Sequence, residues 1–156
     1  MSRELHFYTD GAYSSKTQMG GWASVCLEDG NIIDEKTGYE PYTTNNRMEI
    51  IAVLSAMENA NTIETLNTTV KIYSDSAYVV NIFNQQWYLT WMKNGWTTSD
   101  KQAVKNQDLL RRLVSLYIKL KKRLNIVFVK VPAHSGNRWN EYVNCLAVRA
   151  RSILED

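Results

Sequence analysis

Two alternating apolar runs in the sequence lead into an aspartate. "FYTDGAY" (7–13) places Asp10 at the close of a strand pattern, and "YSDSAYVV" (73–80) places Asp75 at the close of another, just before a helical pattern. An aspartate after a strand is commonly a turn former or a helix cap. Two such strands lying parallel and side by side, however, would hold their carboxylates about 4.8 Å apart, close enough to share one divalent ion. Glu49 offers a third carboxylate from the first turn of a predicted helix, beside Ala52, Val53 and Ala56 and not on a lysine-rich face. Taken alone, it reads equally as an acid favoured by the positive end of the helix dipole. The three gain meaning together, because buried carboxylates without partners are costly unless a cation or a proton compensates them.

Periodicity supplies the elements that must position these acids. Leu5, Phe7 and Thr9 alternate with His6, Tyr8 and Asp10, the period of a strand with two distinct faces. "GGWASVCLE" (20–28) and "NIIDEKTGYE" (31–40) read as two further strands joined by Asp29-Gly30, a hairpin signal, so the three form an antiparallel meander. Thr44 stands as N-cap of a helix over 45–60 that is apolar on more than one side. Val70 to Asp75 is a fourth strand. Reached by a long crossover, it is expected to pair parallel with the first. A helix follows it, then an irregular aromatic and basic stretch from Trp87 to Asn106, a helix over 107–123 and a short strand over 125–131. The loop "PAHSGN" leads into a last helix capped by Asn137, with Trp139, Val143, Leu146, Ala147 and Ala150 on its core face. The fold class is α/β, a three-layer arrangement of a mixed five-stranded sheet flanked by helices, with residues 1–156 as one domain.

Composition fits this reading. A hydrophobic share of 44% and a charged share of 22% are ordinary for a globular chain. No apolar run is long enough to span a bilayer and the N-terminus lacks a secretion-signal layout, so a cytoplasmic protein without membrane contact is expected. Cys26 and Cys145 lack metal-ligand spacing and are expected to be buried, reduced thiols. Net charge is only +2, but residues 87–123 hold nine Lys/Arg against Asp100 and Asp108, a net of +7 that leaves −5 elsewhere. That separation suggests a basic surface for a polyanion beside an acidic pocket for cations.

"YTDGA", "TTNNRMEI", "YSDSAYV" and "VPAHSGNRWNEYVN", in this order and over most of the chain, resemble type 1 ribonuclease H, the enzyme that cuts the RNA strand of RNA/DNA hybrids. The resemblance implies a ribonuclease H fold and four acidic ligands for two Mg2+ ions, with Mn2+ able to substitute. Three ligands fall on Asp10, Glu49 and Asp75. The fourth acid of the family stands ten residues after the loop histidine, where this sequence has Asn144. The chemistry suits such a set, since phosphodiester hydrolysis needs an activated water and a stabilised leaving oxyanion, which two metal ions provide together. The same resemblance gives His134 a part in proton transfer or product release. The reading is a metal-dependent endonuclease giving 5′-phosphate products, present as an inactivated Asp→Asn form. The alternatives are a non-catalytic hybrid-binding module and another nuclease or integrase on the same fold.

The resemblance also assigns substrate contacts. Asn45 and Asn46 match residues that address the 2′-hydroxyl, for which amides are chemically suited, although both also suit a helix start. Thr44 and Arg47 fit a pocket for a phosphate of the DNA strand, with Lys16 at the spacing of a further member. Ala77 replaces a polar residue that often follows the second strand-end aspartate. Trp87 and Trp91, with Lys93, belong to a basic protrusion around residues 87–106 that grips the hybrid as aromatic faces flanked by cations; Trp96 reads equally as core. The expected partner is an RNA/DNA hybrid duplex bound by a monomer.

Overall fold

Strand β1 (Arg3–Ser14) is the spine of the sheet. It pairs antiparallel with β2 (Met19–Glu28), which pairs antiparallel with β3 (Asn31–Pro41) through a hairpin at Asp29 and Gly30. Both turn residues have positive φ, 52° and 78°, as a two-residue loop matched to strand twist requires. On its other side β1 pairs parallel with β4 (Thr68–Ser74), which pairs parallel with β5 (Asn125–Lys130). The strand order is β3-β2-β1-β4-β5, the expected mixed five-stranded sheet. The computed structural model describes residues 2–63, 67–133 and 136–154; His134 lies outside them.

Helices cover both faces. α1 (Asn45–Thr62) begins at Thr44, whose hydroxyl accepts the Arg47 amide at 3.1 Å, and it packs on β1 and β2. Its buried residues run almost all round, from Met48, Ile50 and Val53 to Leu54 and Met57, because α4 (Gln107–Leu120) packs on its outer side. With α2 (Ala77–Asn84) these helices enclose the larger core, built on Leu5, Phe7, Val70, Ile72 and Phe128 from one sheet face. α5 (Arg138–Arg151) covers the opposite face, where Val143 and Ala147 meet Ala23, Val25 and Leu27.

Four expectations change. First, β1 does not close on Asp10 but runs on to Ser14, because β2 continues beside it after the parallel pairing to β4 stops at Tyr8 and Tyr73. Second, the stretch from Trp87 is not irregular throughout. Trp87–Lys93 forms helix α3, whose Tyr88 and Trp91 are buried three residues apart; at under two turns its period is too short to stand out in the sequence. Third, Cys26 is buried but Cys145 is exposed, since the buried stripe of α5 passes through Asn140, Val143, Ala147 and Ala150 and misses it. Fourth, Trp139 and Leu146 lie only half-buried at the margin of that stripe.

Candidate metal centre

The parallel register decides where the acids meet. Tyr8 pairs with Tyr73, so two residues further on Asp10 and Asp75 stand level just past the end of the pairing. The Thr9 hydroxyl donates to the Tyr73 carbonyl at 2.9 Å and ties the two strands together at that point. Beyond β4 the turn is held locally: the Ser76 amide donates to the Ser74 hydroxyl at 3.1 Å, and the Ser76 hydroxyl caps α2 by accepting from the Val79 amide at 3.2 Å.

Glu49 reaches the same place because α1 lies against β1 at Gly11. A Cβ on Gly11 would stand 2.6 Å from the Glu49 backbone nitrogen and 2.7 Å from Met48 Cβ, so only glycine lets the helix settle this closely. One oxygen each from Asp10, Glu49 and Asp75 then lie within 4.8 Å of one another. α5 approaches from the other side of the sheet, where Gly21 of β2 leaves room for the Ala147 carbonyl. It brings Asn144, whose amide donates to Asp10 Oδ2 at 2.7 Å, while Asp10 Oδ1 accepts the Gly11 amide at 2.9 Å.

This cluster is electrostatically incomplete. Asp10 and Glu49 are 2% and 4% exposed, and Glu49 Oε2 is buried with no hydrogen-bond partner among the described residues. Burial raises the Asp10 carboxyl to about 6, helped by the charge of Asp75 and opposed by the bond from Asn144. Glu49 is held well above the usual carboxylate range, first by burial and then by Asp10 and Asp75. Groups that cannot ionise together without help are what a divalent cation relieves, and an all-oxygen donor set at strand ends suits a hard ion that keeps several waters. Asn144 can contribute an oxygen in turn, because an amide offers either a donor or an acceptor face. Asp10, Glu49 and Asp75, with Asn144 beside them, therefore suit a hard divalent cation.

The residues assigned to substrate contacts are spread more widely. Thr44, Asn45, Asn46 and Arg47 open α1, with Asn45 exposed and Asn46 and Arg47 half-exposed, while Lys16 is exposed in the turn between β1 and β2. Arg47 is not free: its Nε donates to Glu40 Oε1 at 2.7 Å and its Nη1 to Asn106 Oδ1 at 3.4 Å. Neither Glu40 nor Asn106 stood out in the sequence. The local signal at Asn106 is an asparagine before a helix, and it adopts φ 58° there as the residue preceding α4.

In the basic segment, Lys93 is exposed at the end of α3 and Trp87 is half-buried. Trp91, expected among the substrate contacts, is buried in the structure. It is only 9% exposed and packs among Tyr78, Trp87 and Trp96, with ring centroids 5.8–6.4 Å away, so its face is spent on the core.

Comparison with known proteins agrees with the fold. The RNase H family model matches residues 2–152. A ribonuclease H of Chlorobaculum parvum is 42% identical over 147 residues, covering 94% of each chain. The crystal structure of LC9-RNase H1, described as a type 1 RNase H with the type 2 active-site motif, superposes with a TM-score of 0.76 at 25% identity over 97% of this chain and 74% of that one. A foamy viral protease-reverse transcriptase in complex with RNA/DNA hybrid shares the fold at a TM-score of 0.77 and 20% identity, over 96% of this chain and 20% of that one. With an acidic triad gathered beside the strand ends and full-length likeness to ribonucleases H, the chain belongs to the RNase H family, divalent-metal-dependent enzymes that hydrolyse the RNA strand of RNA/DNA hybrids.

Proposed function

We propose that this chain is a magnesium-dependent endonuclease for the RNA strand of RNA/DNA hybrids, slowed by the amide at position 144, and that it gives 5′-phosphate and 3′-hydroxyl ends. The observation that carries the reading is the cluster of Asp10, Glu49 and Asp75 with one oxygen each within 4.8 Å, with Glu49 Oε2 buried and without a hydrogen-bond partner among the described residues. Asp10, Glu49, Asp75 and Asn144 would hold two Mg2+, which supply Lewis-acid stabilisation of the leaving oxyanion and a more acidic bound water. Burial lets Glu49 keep its proton to a higher pH than an exposed carboxyl does, so metal loading would release a proton there. Asn144 offers oxygen without charge, and at an effective dielectric of about 20 one missing charge a few ångströms away weakens cation binding substantially. His134, ten residues before it, is the residue proposed to move a proton.

Asn45 and Asn46 present amides for the 2′-hydroxyls, Thr44 and Arg47 meet a phosphate with Lys16 nearby, and Trp87 with Lys93 supports the hybrid from the basic protrusion. The amide at 144 also favours a second reading, a hybrid-binding module without catalysis. Cleavage of labelled hybrid in Mg2+, run beside the Asn144→Asp variant, separates the two. The enzyme reading expects slow cleavage that Asn144→Asp accelerates by about tenfold or more at a lower Mg2+ requirement, in line with the sensitivity of catalysis to site geometry. No cleavage by either protein, with hybrid still bound, establishes the binding module instead.

A further inference from the structure

Arg47 joins three elements. It belongs to the first turn of α1, its Nε donates to Glu40 of β3 at 2.7 Å, and its Nη1 reaches Asn106 at 3.4 Å and Asp108 of α4 at 3.9 Å. The Arg47 and Glu40 side chains are 27% and 34% exposed, so the pair sits at the rim of the groove between α1, β3 and α4, open to a ligand and partly shielded from water. A carboxylate that takes Nε of a guanidinium occupies one edge of the fork with which arginine grips an oxyanion. From this geometry we infer that Glu40 is a built-in competitor for phosphate at Arg47, which sets the affinity and the salt dependence of nucleic-acid binding. The inference rests on the proposed role of Arg47 in holding a backbone phosphate.

Counterion release makes the idea testable. A free arginine on a protein surface draws a phosphate out of its cloud of condensed cations, and each such contact adds about 0.9 to the slope of log affinity against log salt. Arg47 already has an anion attached. When phosphate displaces Glu40, the freed carboxylate gathers cations of its own and cancels much of the release. Glu40 therefore lowers affinity at low salt and flattens the salt slope, while an unpaired cation such as Lys93, exposed at the end of α3, contributes its full share.

The test is binding of an RNA/DNA hybrid in Ca2+, which avoids cleavage, across a salt series, with the full chain and with Glu40→Gln, Arg47→Gln and the double variant. Glu40→Gln should tighten binding about two- to fivefold at low salt, the range of a partly exposed ion pair. It should also steepen the salt slope by up to about 0.9. Arg47→Gln should weaken binding, and the double variant should match Arg47→Gln, since Glu40 acts only through the arginine.

A purely structural strut predicts otherwise: Glu40→Gln would lower the unfolding midpoint and leave the slope unchanged or weaken binding, and that result overturns the inference. If Glu40→Gln fails to fold, Glu40→Asp, which shortens the side chain by one methylene and keeps the charge, should still fold and bind more tightly than the unaltered chain. No gain overturns the inference. Should Arg47→Gln bind as well as the unaltered chain, the phosphate role of Arg47 itself falls, which is a separate failure from an inert Glu40.

Discussion

The acidic cluster and the basic segment carry opposite charge and are built on opposite principles. Asp10 and Glu49 are almost fully buried, Asp10 accepts from the neutral Asn144 amide and from backbone, and Glu49 Oε2 has no hydrogen-bond partner among the described residues. The cations of the basic segment are exposed, and their contacts are mixed: Arg111 lies 5.1 Å from the Trp96 ring, Lys121 lies 5.4 Å from the Tyr117 ring, Arg123 binds the carbonyls of Asn61 and Ile63, and Arg112 pairs with Glu58 at 2.6 Å. A buried carboxylate without a partner favours a cation or a proton, because leaving it charged and alone is costly. Exposed charge is cheap in either state, so it tunes affinity and leaves the fold alone.

Replacing Trp91 should produce the largest effect. It lies inside the basic segment by sequence but in the core by structure, so Trp91→Ala should cost about 3–5 kcal/mol in urea unfolding. Trp87→Ala, from a half-buried site, should cost clearly less. Equal losses would erase the distinction between an inner layer and a gripping surface in this segment.

The acidic cluster should write itself into the pH dependence of stability. The folded Asp10 carboxyl is raised from 3.8 to about 6, so its contribution favours the folded state below about pH 4 and is lost as pH rises through 6. Two pKa units correspond to about 3 kcal/mol. Without metal, the melting temperature of the unaltered chain should therefore fall relative to Asp10→Asn between pH 4 and 7. Adding Mg2+ should recover more of it at pH 7.5 than at pH 5. A difference that stays flat with pH would mean that the cluster is not under charge strain.

Lys93→Ala should give the smallest effect. Exposed at the end of α3, it should weaken hybrid binding by less than about 1 kcal/mol and reduce the salt slope by about 0.9, with no change in unfolding. A stability loss would place Lys93 in the fold instead of on the binding surface.

Much of this arrangement is legible in the sequence. Alternation in β1, the Asp29-Gly30 hairpin, Thr44 as a cap and the long crossover to β4 are local signals, and local signals survive in a sequence because backbone geometry repeats at short range. The meeting of Asp10 and Asp75 followed from them, since the ends of adjacent parallel strands must lie together. The amide at position 144 was visible by resemblance alone. Tertiary structure decided what depends on close approach between distant segments: Gly11 admitting α1 and with it Glu49, Gly21 admitting α5, Glu40 and Asn106 closing on Arg47, and Trp91 turning inward while Lys93 beside it stays in water. Residue type and spacing state which groups are present. Whether a charge is buried or paired depends on which neighbours the packed chain brings to it, and those are specified by contacts that no local pattern contains.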